Sequence, residues 1–186
     1  MPSGRLIQAA RELRCMPGQF WVLTLGTFTY VAAAALAFPF EAIYLRRYLG
    51  TSMSMIGVVF VLVPLAVMPV QFWGGALTDR LGRRVVIMLS VLIGVVWFVG
   101  FAFVQELWQV AALVAMESAL GWPLFQTASN AMIADLLPPE RRQQGFGVTR
   151  VAMNLGVVLG PALAGLALGW GASFRELFLA AAAGCV

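Results

Sequence analysis

Residues 75–84 read Gly75-Ala-Leu-Thr-Asp79-Arg80-Leu-Gly82-Arg83-Arg84. An apolar run stands on each side, from about Ser54 to Thr78 and from about Val85 to Val104. Roughly 20 apolar residues carry a helix across the hydrocarbon core of a bilayer. The polar stretch is therefore a turn between two spans. Gly75 lets a neighbouring helix approach closely. Gly82 permits a tight turn with φ > 0. Arg80, Arg83 and Arg84 hold the turn on the cytoplasmic side. Asp79 adds nothing to orientation and is better explained as a partner for an arginine or a helix N-terminus.

Working outward, the same alternation fills the chain. Of 186 residues, 61% are hydrophobic and 11% charged, and mean hydropathy is +0.90. Soluble domains carry about 25% charged residues. A disordered tail, a disulfide scaffold and an ordinary soluble enzyme are excluded. The expected fold is an all-α membrane protein. Its first span runs from about Gln19 to Tyr44 and its second from Ser54 to Thr78. The third covers Val85 to Val104, the fourth Leu107 to Leu137 and the fifth Gln144 to Leu168. A sixth begins near Arg175 and is truncated at Val186. A helix stopping in mid-membrane leaves unsatisfied carbonyls, so the chain reads as a fragment.

There is no His, and the two cysteines, Cys15 and Cys185, sit at opposite ends. Zinc-protease His pairs, axial haem histidines and His-based triads are excluded, the cysteines match no metal or redox spacing, and no metal or cofactor is expected. All twelve basic residues are arginines, and their placement alternates. Arg5, Arg11 and Arg14 precede the first span, Arg80, Arg83 and Arg84 follow the second, and Arg141, Arg142 and Arg150 follow the fourth. The opposite side has only Arg46, Arg47 and Arg175. The positive-inside rule places the richer side and the N-terminus in the cytoplasm. No nucleic-acid partner is expected. Residues 1–18 read as a cytoplasmic segment whose 5–14 stretch suits a surface helix, and 19–186 as the transmembrane bundle.

The turn of residues 75–84 resembles the signature loop of the major facilitator superfamily of secondary transporters. The resemblance implies the N-terminal six-helix half of that fold. It also implies a conformational-switch role for Gly75, Asp79, Arg80, Gly82, Arg83 and Arg84, with one arginine paired to an acid at the foot of the fourth span, where Asp135 stands. Gly156-Val-Val-Leu-Gly160-Pro161-Ala-Leu-Ala-Gly165 is similar to the fifth-span motif of drug:proton antiporters in the same superfamily. Gly156 and Gly160 share one helix face and favour close packing, and Pro161 kinks the helix. One departure concerns coupling: where the family often has an arginine four residues before a glycine, this chain has Glu117 before Gly121.

A charge inside a span costs about 2.5–3.5 kcal/mol on insertion scales and normally faces a bundle interior or a wet cavity. Glu117 is the deepest. It reads either as a proton or cation site or as a neutral, hydrogen-bonded structural acid. Arg150 and Asn154 share a face of the fifth span and are expected to look into a cavity, with snorkelling the alternative for Arg150. At about 1.5 Å per residue, Glu117 lies roughly 30 Å and Arg150 about 9 Å from the cytoplasmic ends of their spans. Thr27, Tyr30, Ala34, Phe38 and Glu41 form one stripe at helical spacing, the expected cavity face. Glu41 also lies close to Arg46 and Arg47, so an interfacial ion pair is an equal reading. Gln126 and Asn130 point away from Glu117, so the three cannot share one cavity.

The expected function is secondary active transport by alternating access, namely proton-coupled efflux of a small amphipathic or drug-like molecule, without enzymatic chemistry. The partners are substrate, protons, the bilayer and a missing C-terminal half. The setting is a bacterial inner membrane. The alternatives are a sugar or metabolite uniporter or symporter of the same fold, or a non-transporting membrane interaction module.

Overall fold

The computed structural model describes residues 16–185; the 5–14 stretch and Cys15 lie outside the described residues. Among the described residues there are nine α-helices and no strand. They are α1 (Gly18–Ala37), α2 (Glu41–Tyr48), α3 (Met53–Gln71), α4 (Gly74–Leu81), α5 (Arg83–Phe103), α6 (Leu107–Leu120), α7 (Trp122–Leu136), α8 (Pro139–Gly169) and α9 (Phe174–Gly184). A short 3-10 turn, Phe38–Phe40, joins α1 to α2. Four stretches are long and apolar enough to cross a membrane: Gly18–Tyr48, Met53–Gln71, Arg83–Phe103 and Pro139–Gly169.

Three expected spans are interrupted, and proline or glycine stands at each interruption. The first turns through Phe38-Pro39-Phe40. The second breaks at Phe72 and Trp73, shortly after Pro69, so α4 is a separate short helix. The fourth breaks at Gly121, where φ is −83° and ψ −108°. Pro123 follows, and proline has no N–H for the carbonyl four residues back. The fifth span starts earlier than expected, at Pro139. Pro is favoured at the first helical position, and Glu140 suits the positive end of the helix dipole. The α9 helix opens with a Ser173–Glu176 capping box.

The longest packing seam runs between α1 and α8. A Cβ on Gly156 would stand 3.0 Å from the Ala32 amide nitrogen, and one on Gly160 2.7 Å from the Ala35 carbonyl carbon. The two backbones can approach this closely only because both residues lack side chains. Two expectations about glycine are corrected. A Cβ on Gly165 would meet nothing within 4 Å, so the seam ends before it. Gly75 is likewise open, and its neighbour Gly74 makes the close approach, 2.7 Å from Leu124 Cδ2. Periodicity could not separate adjacent glycines, because which one faces α7 depends on the break at Phe72 and Trp73.

The two ends of the bundle follow from side-chain contacts. Phe20 and Leu23 of α1 pack on Ile133 and Leu137 at the end of α7. Arg83 at the start of α5 pairs with Asp135 of α7. The start of α1, the α4–α5 turn and the α7–α8 junction therefore share one end. At the other end, Tyr44 packs on Phe178 of α9 (ring centroids 5.0 Å apart) and its hydroxyl donates to the Ala102 carbonyl (3.3 Å). Apolar side chains of α3 and α8 face outward, including Leu62, Leu65, Val158 and Leu163. Such faces suit lipid or another helical bundle.

The seam makes a direct forecast. Gly160→Ala should lower stability by about 1–3 kcal/mol through overpacking. Gly165→Ala should leave it unchanged or raise it, because Ala is the better helix former. Thermal unfolding of the purified variants in detergent reads both; equal stabilities would show that the seam does not exist.

Candidate functional site

The break in the fourth span has its own hydrogen-bond solution. In an unbroken helix the Trp122 N–H would donate to the Ser118 carbonyl. Instead it donates to Glu117 Oε1 (3.0 Å), while the Ser118 carbonyl accepts from Gln71 Nε2 of α3 (3.0 Å). Each half of the lost bond has found a side chain. The Glu117 carboxylate lies so close over Gly121 that a Cβ there would stand 1.9 Å from Oε2. Glu117 Oε2 is buried and has no hydrogen-bond partner.

Glu117 lines a cavity of about 600 Å³ between α1, α3, α5, α6, α7 and α8. Four prolines meet in its wall: Pro39, Pro64, Pro123 and Pro161. Tyr30, Phe38, Trp97, Phe98 and Trp122 supply aromatic surface, and Glu117 is the one charged side chain in the lining. Trp97 also reaches behind the wall, where its Nε1–H donates to Glu41 Oε1 (3.0 Å). Glu41 is 1% exposed, and its Oε2 has no partner. The alternative of an interfacial ion pair with Arg46 or Arg47 is thereby corrected. The 3-10 turn rotates Glu41 inward, and Arg47 instead lies over the Phe174 ring, 5.7 Å from its centroid.

The expected cavity stripe on α1 is divided. Tyr30, Ala34 and Phe38 line the proline cavity. Thr27 and Tyr30 line a second cavity of about 830 Å³, bounded by α1, α5, α7 and Cys185, which Arg84 also lines. The Thr27 hydroxyl is already committed to the Leu23 carbonyl (2.8 Å). Arg150 faces neither cavity. With Gln126, Asn130 and Thr149 it lines a third, of about 560 Å³, between α7 and α8. Gln126 and Asn130 thus line a different cavity from Glu117, as expected, although the break at Gly121 and not a single helical period lies between them. Asn154 is exposed and lines none of the three, so its expected place beside Arg150 is not found. Gln71, Trp97 and Trp122 escaped the sequence reading. The signal for Trp122 was present in Gly121-Trp122-Pro123, where a small residue and a missing N–H interrupt one turn.

At the α4–α5 turn, Gly82 has φ 87° and ψ 144°, a conformation open to glycine. The next residue, Arg83, places Nε 2.5 Å from Asp135 Oδ2 and a terminal nitrogen 3.9 Å from Asp79 Oδ1. The partners are partly exposed, so this pair contributes at most about 1 kcal/mol. Its consequence is geometric, since it ties the start of α5 to the end of α7. Arg80 lies along a shallow groove with Gly74 and Leu124. Among the described residues no group of three or more His, Cys, Asp or Glu is placed to hold a metal ion.

Membrane-length helices, interrupted spans and a cavity with a buried acid define a polytopic helical membrane protein. The Major Facilitator Superfamily profile matches residues 23–186, and the chain belongs to that family. It is 33% identical to the uncharacterized MFS-type transporter YqjV of Bacillus subtilis, over 77% of this chain and 35% of the relative. It is 33% identical to the multidrug resistance protein MdtG of Klebsiella pneumoniae, over 87% of the chain and 40% of the relative. It is 30% identical to a Na(+), Li(+), K(+)/H(+) antiporter of Planococcus maritimus, over 75% and 34% respectively. The chain thus spans little more than a third of the length of these curated relatives.

If Glu117 and Gly121 act as one unit, their substitutions are not additive. Glu117→Ala and Gly121→Ala should each destabilise by about 1–3 kcal/mol. The double variant should be no worse than the poorer single one, because Ala at 117 vacates the space a Cβ at 121 needs. A double-mutant cycle by thermal unfolding tests this, and simple additivity would separate the two residues.

Proposed function

We propose that this chain is the N-terminal bundle of a secondary transporter that exports small amphipathic molecules in exchange for protons, by alternating access. The observation that carries the reading is Glu117: an acid held in the wall of a cavity to which four proline-containing spans and α5 contribute, with one carboxylate oxygen unpartnered. Coupling needs a group that binds its proton differently in two states. A carboxylate whose one hydrogen bond goes to a backbone amide at a helix break is suited to that, because rearrangement of the break changes its surroundings. Glu41, held behind Trp97, is the second acid in this arrangement. The names of the relatives, a multidrug resistance protein and a cation/proton antiporter, agree with coupled export.

The remaining half of the cavity wall then comes from a C-terminal half that packs against the outward apolar faces of α3 and α8. Asp79, Arg80, Gly82, Arg83, Arg84 and Asp135 form the switch at the end of the bundle. The Arg83–Asp135 pair stabilises one arrangement of α5 against α7. Residues 1–18 and the α4–α5 turn face the cytoplasm, in a bacterial inner membrane, following the arginine distribution.

Two measurements test this. In everted vesicles containing the full-length protein, a panel of acidic, basic and neutral amphipathic dyes is added against a preset pH gradient. At least one should dissipate the gradient with wild type and none with Glu117→Gln, since Gln keeps hydrogen bonding but cannot titrate. Equal dissipation by both proteins would remove Glu117 from coupling. For topology, Leu81, which is 47% exposed, is replaced by Cys in a cysteine-free background. An impermeant maleimide should label it only after permeabilisation. Ready labelling in intact cells would reverse the orientation.

A further inference from the structure

We propose that the groove between α7 and α8 binds the carboxylate of an amphipathic organic anion, with Arg150 holding the charge and Gln126 and Asn130 adding amide N–H donors. The inference rests on the transport reading above, since it places this groove on the substrate path, and it adds a chemical class for the substrate.

The groove, of about 560 Å³, has two kinds of wall. Ile133, Phe146 and Met153 are apolar; Gln126, Asn130, Thr149 and Arg150 are polar. Among the described residues no acid lines it, and none stands in an ion pair with Arg150. The other polar groups are accounted for in turn. Gln126 Nε2 donates to Asn130 Oδ1 (3.3 Å), which leaves both N–H groups of Asn130, one of Gln126 and the Gln126 side-chain oxygen. The Thr149 hydroxyl is buried against that of Thr24 (3.4 Å). The groove therefore offers a fixed positive charge and N–H donors in excess of acceptors. A carboxylate is acceptor-only, and its two oxygens match the fork of a guanidinium. The apolar wall beside it suits a hydrocarbon or aromatic body.

Position separates Arg150 from an arginine at the membrane surface. A snorkelling arginine carries its head to the interface. Arg150 instead shares its groove with Gln126, which lies about 14 Å further into the bundle than Asp135 along α7, at roughly 1.5 Å per residue. The groove also continues the proline cavity. Phe146, Arg150, Met153, Val157 and Pro161 share one face of α8. The first three line the groove and the last two the cavity. On α7 the order repeats, with Trp122 and Pro123 in the cavity, then Gln126, Asn130 and Ile133 in the groove. An anion on Arg150 thus lies on the same side of the bundle as Glu117, one level nearer the arginine-rich end.

Two ligands of one shape isolate the charge: 2-naphthoate and its neutral amide, 2-naphthamide, each tritiated. Binding to the full-length protein in detergent at neutral pH is measured by scintillation proximity. Naphthoate should bind saturably, and the amide about tenfold weaker. Arg150→Gln should weaken naphthoate about tenfold and leave the amide unchanged, which also shows that the variant is folded. Arg150→Lys should lose less, because it keeps the charge and gives up the fork. Phe146→Ala should weaken both ligands alike. Arg46→Gln, at an exposed arginine of the opposite end, should bind as wild type does. The proposal is overturned if the amide binds as tightly as naphthoate, or if Arg150→Gln binds naphthoate unchanged. It is also overturned if Arg46→Gln weakens naphthoate as much as Arg150→Gln, since attraction would then be diffuse. Absence of saturable naphthoate binding overturns it too, and is the result expected if an acid of the C-terminal half already occupies Arg150. Any of these results alongside dye-driven, Glu117-dependent proton flux would leave the transport reading standing and remove only the anion site. Arg150-dependent naphthoate binding without such flux would do the reverse.

Discussion

A backbone amide that loses its carbonyl inside a bilayer has no water to turn to, and here the Trp122 amide turns to the carboxylate of Glu117. Much of the interior is arranged around that one substitution. The break it caps sends α6 and α7 on separate courses. The carbonyl it abandons, that of Ser118, recruits Gln71 and so ties α3 to α6. The space the carboxylate occupies exists because residue 121 has no side chain. An acid in mid-span is costly. As the cap of an exposed helix N-terminus it repays part of that cost through its hydrogen bond and the local dipole.

The prolines extend the same logic. Pro39, Pro64, Pro123 and Pro161 come from four different spans and meet in one cavity wall. Each removes a backbone donor from its helix beside that cavity, and an irregular backbone is tolerated at membrane depth only where it is buried in protein or lines a cavity. Packing elsewhere compensates. The glycine-mediated seam of α1 on α8 and the aromatic cluster around Tyr44, Phe101 and Phe178 hold the bundle on either side of its irregular middle.

The ends of the bundle differ in kind. One end is held by an apolar cluster, Phe20 with Ile133 and Leu137, and by the Arg83–Asp135 pair. The other is aromatic, with Arg47 and Arg175 lying over ring faces of Phe174, Tyr48 and Phe103. A half-exposed ion pair is weak enough to be exchanged, whereas a packed aromatic cluster is not.

The sequence by itself determined the all-α membrane class of the protein and the turn at Gly82, while the pairing of Asp135 with an arginine of that turn came from the family resemblance. Of the six spans expected, four stretches among the described residues are long and apolar enough to cross a membrane. Hydrophobic length and charge placement are local properties that the bilayer reads directly, so they are legible without a fold. The sequence also set Gln126 apart from Glu117; the two do line different cavities, but the break at Gly121 lies between them, so one helical period is not what separates them. Only the tertiary structure decided which surfaces meet. It turned Glu41 away from Arg46 and Arg47 toward Trp97, gave the close approach to Gly74 rather than Gly75, and left Gly165 and Asn154 outside the contacts expected of them. The reason is physical in each case. A single interrupted turn at Pro39, after Pro69 or at Gly121 changes the direction in which every later side chain points. Periodicity carried across that turn then assigns the wrong faces.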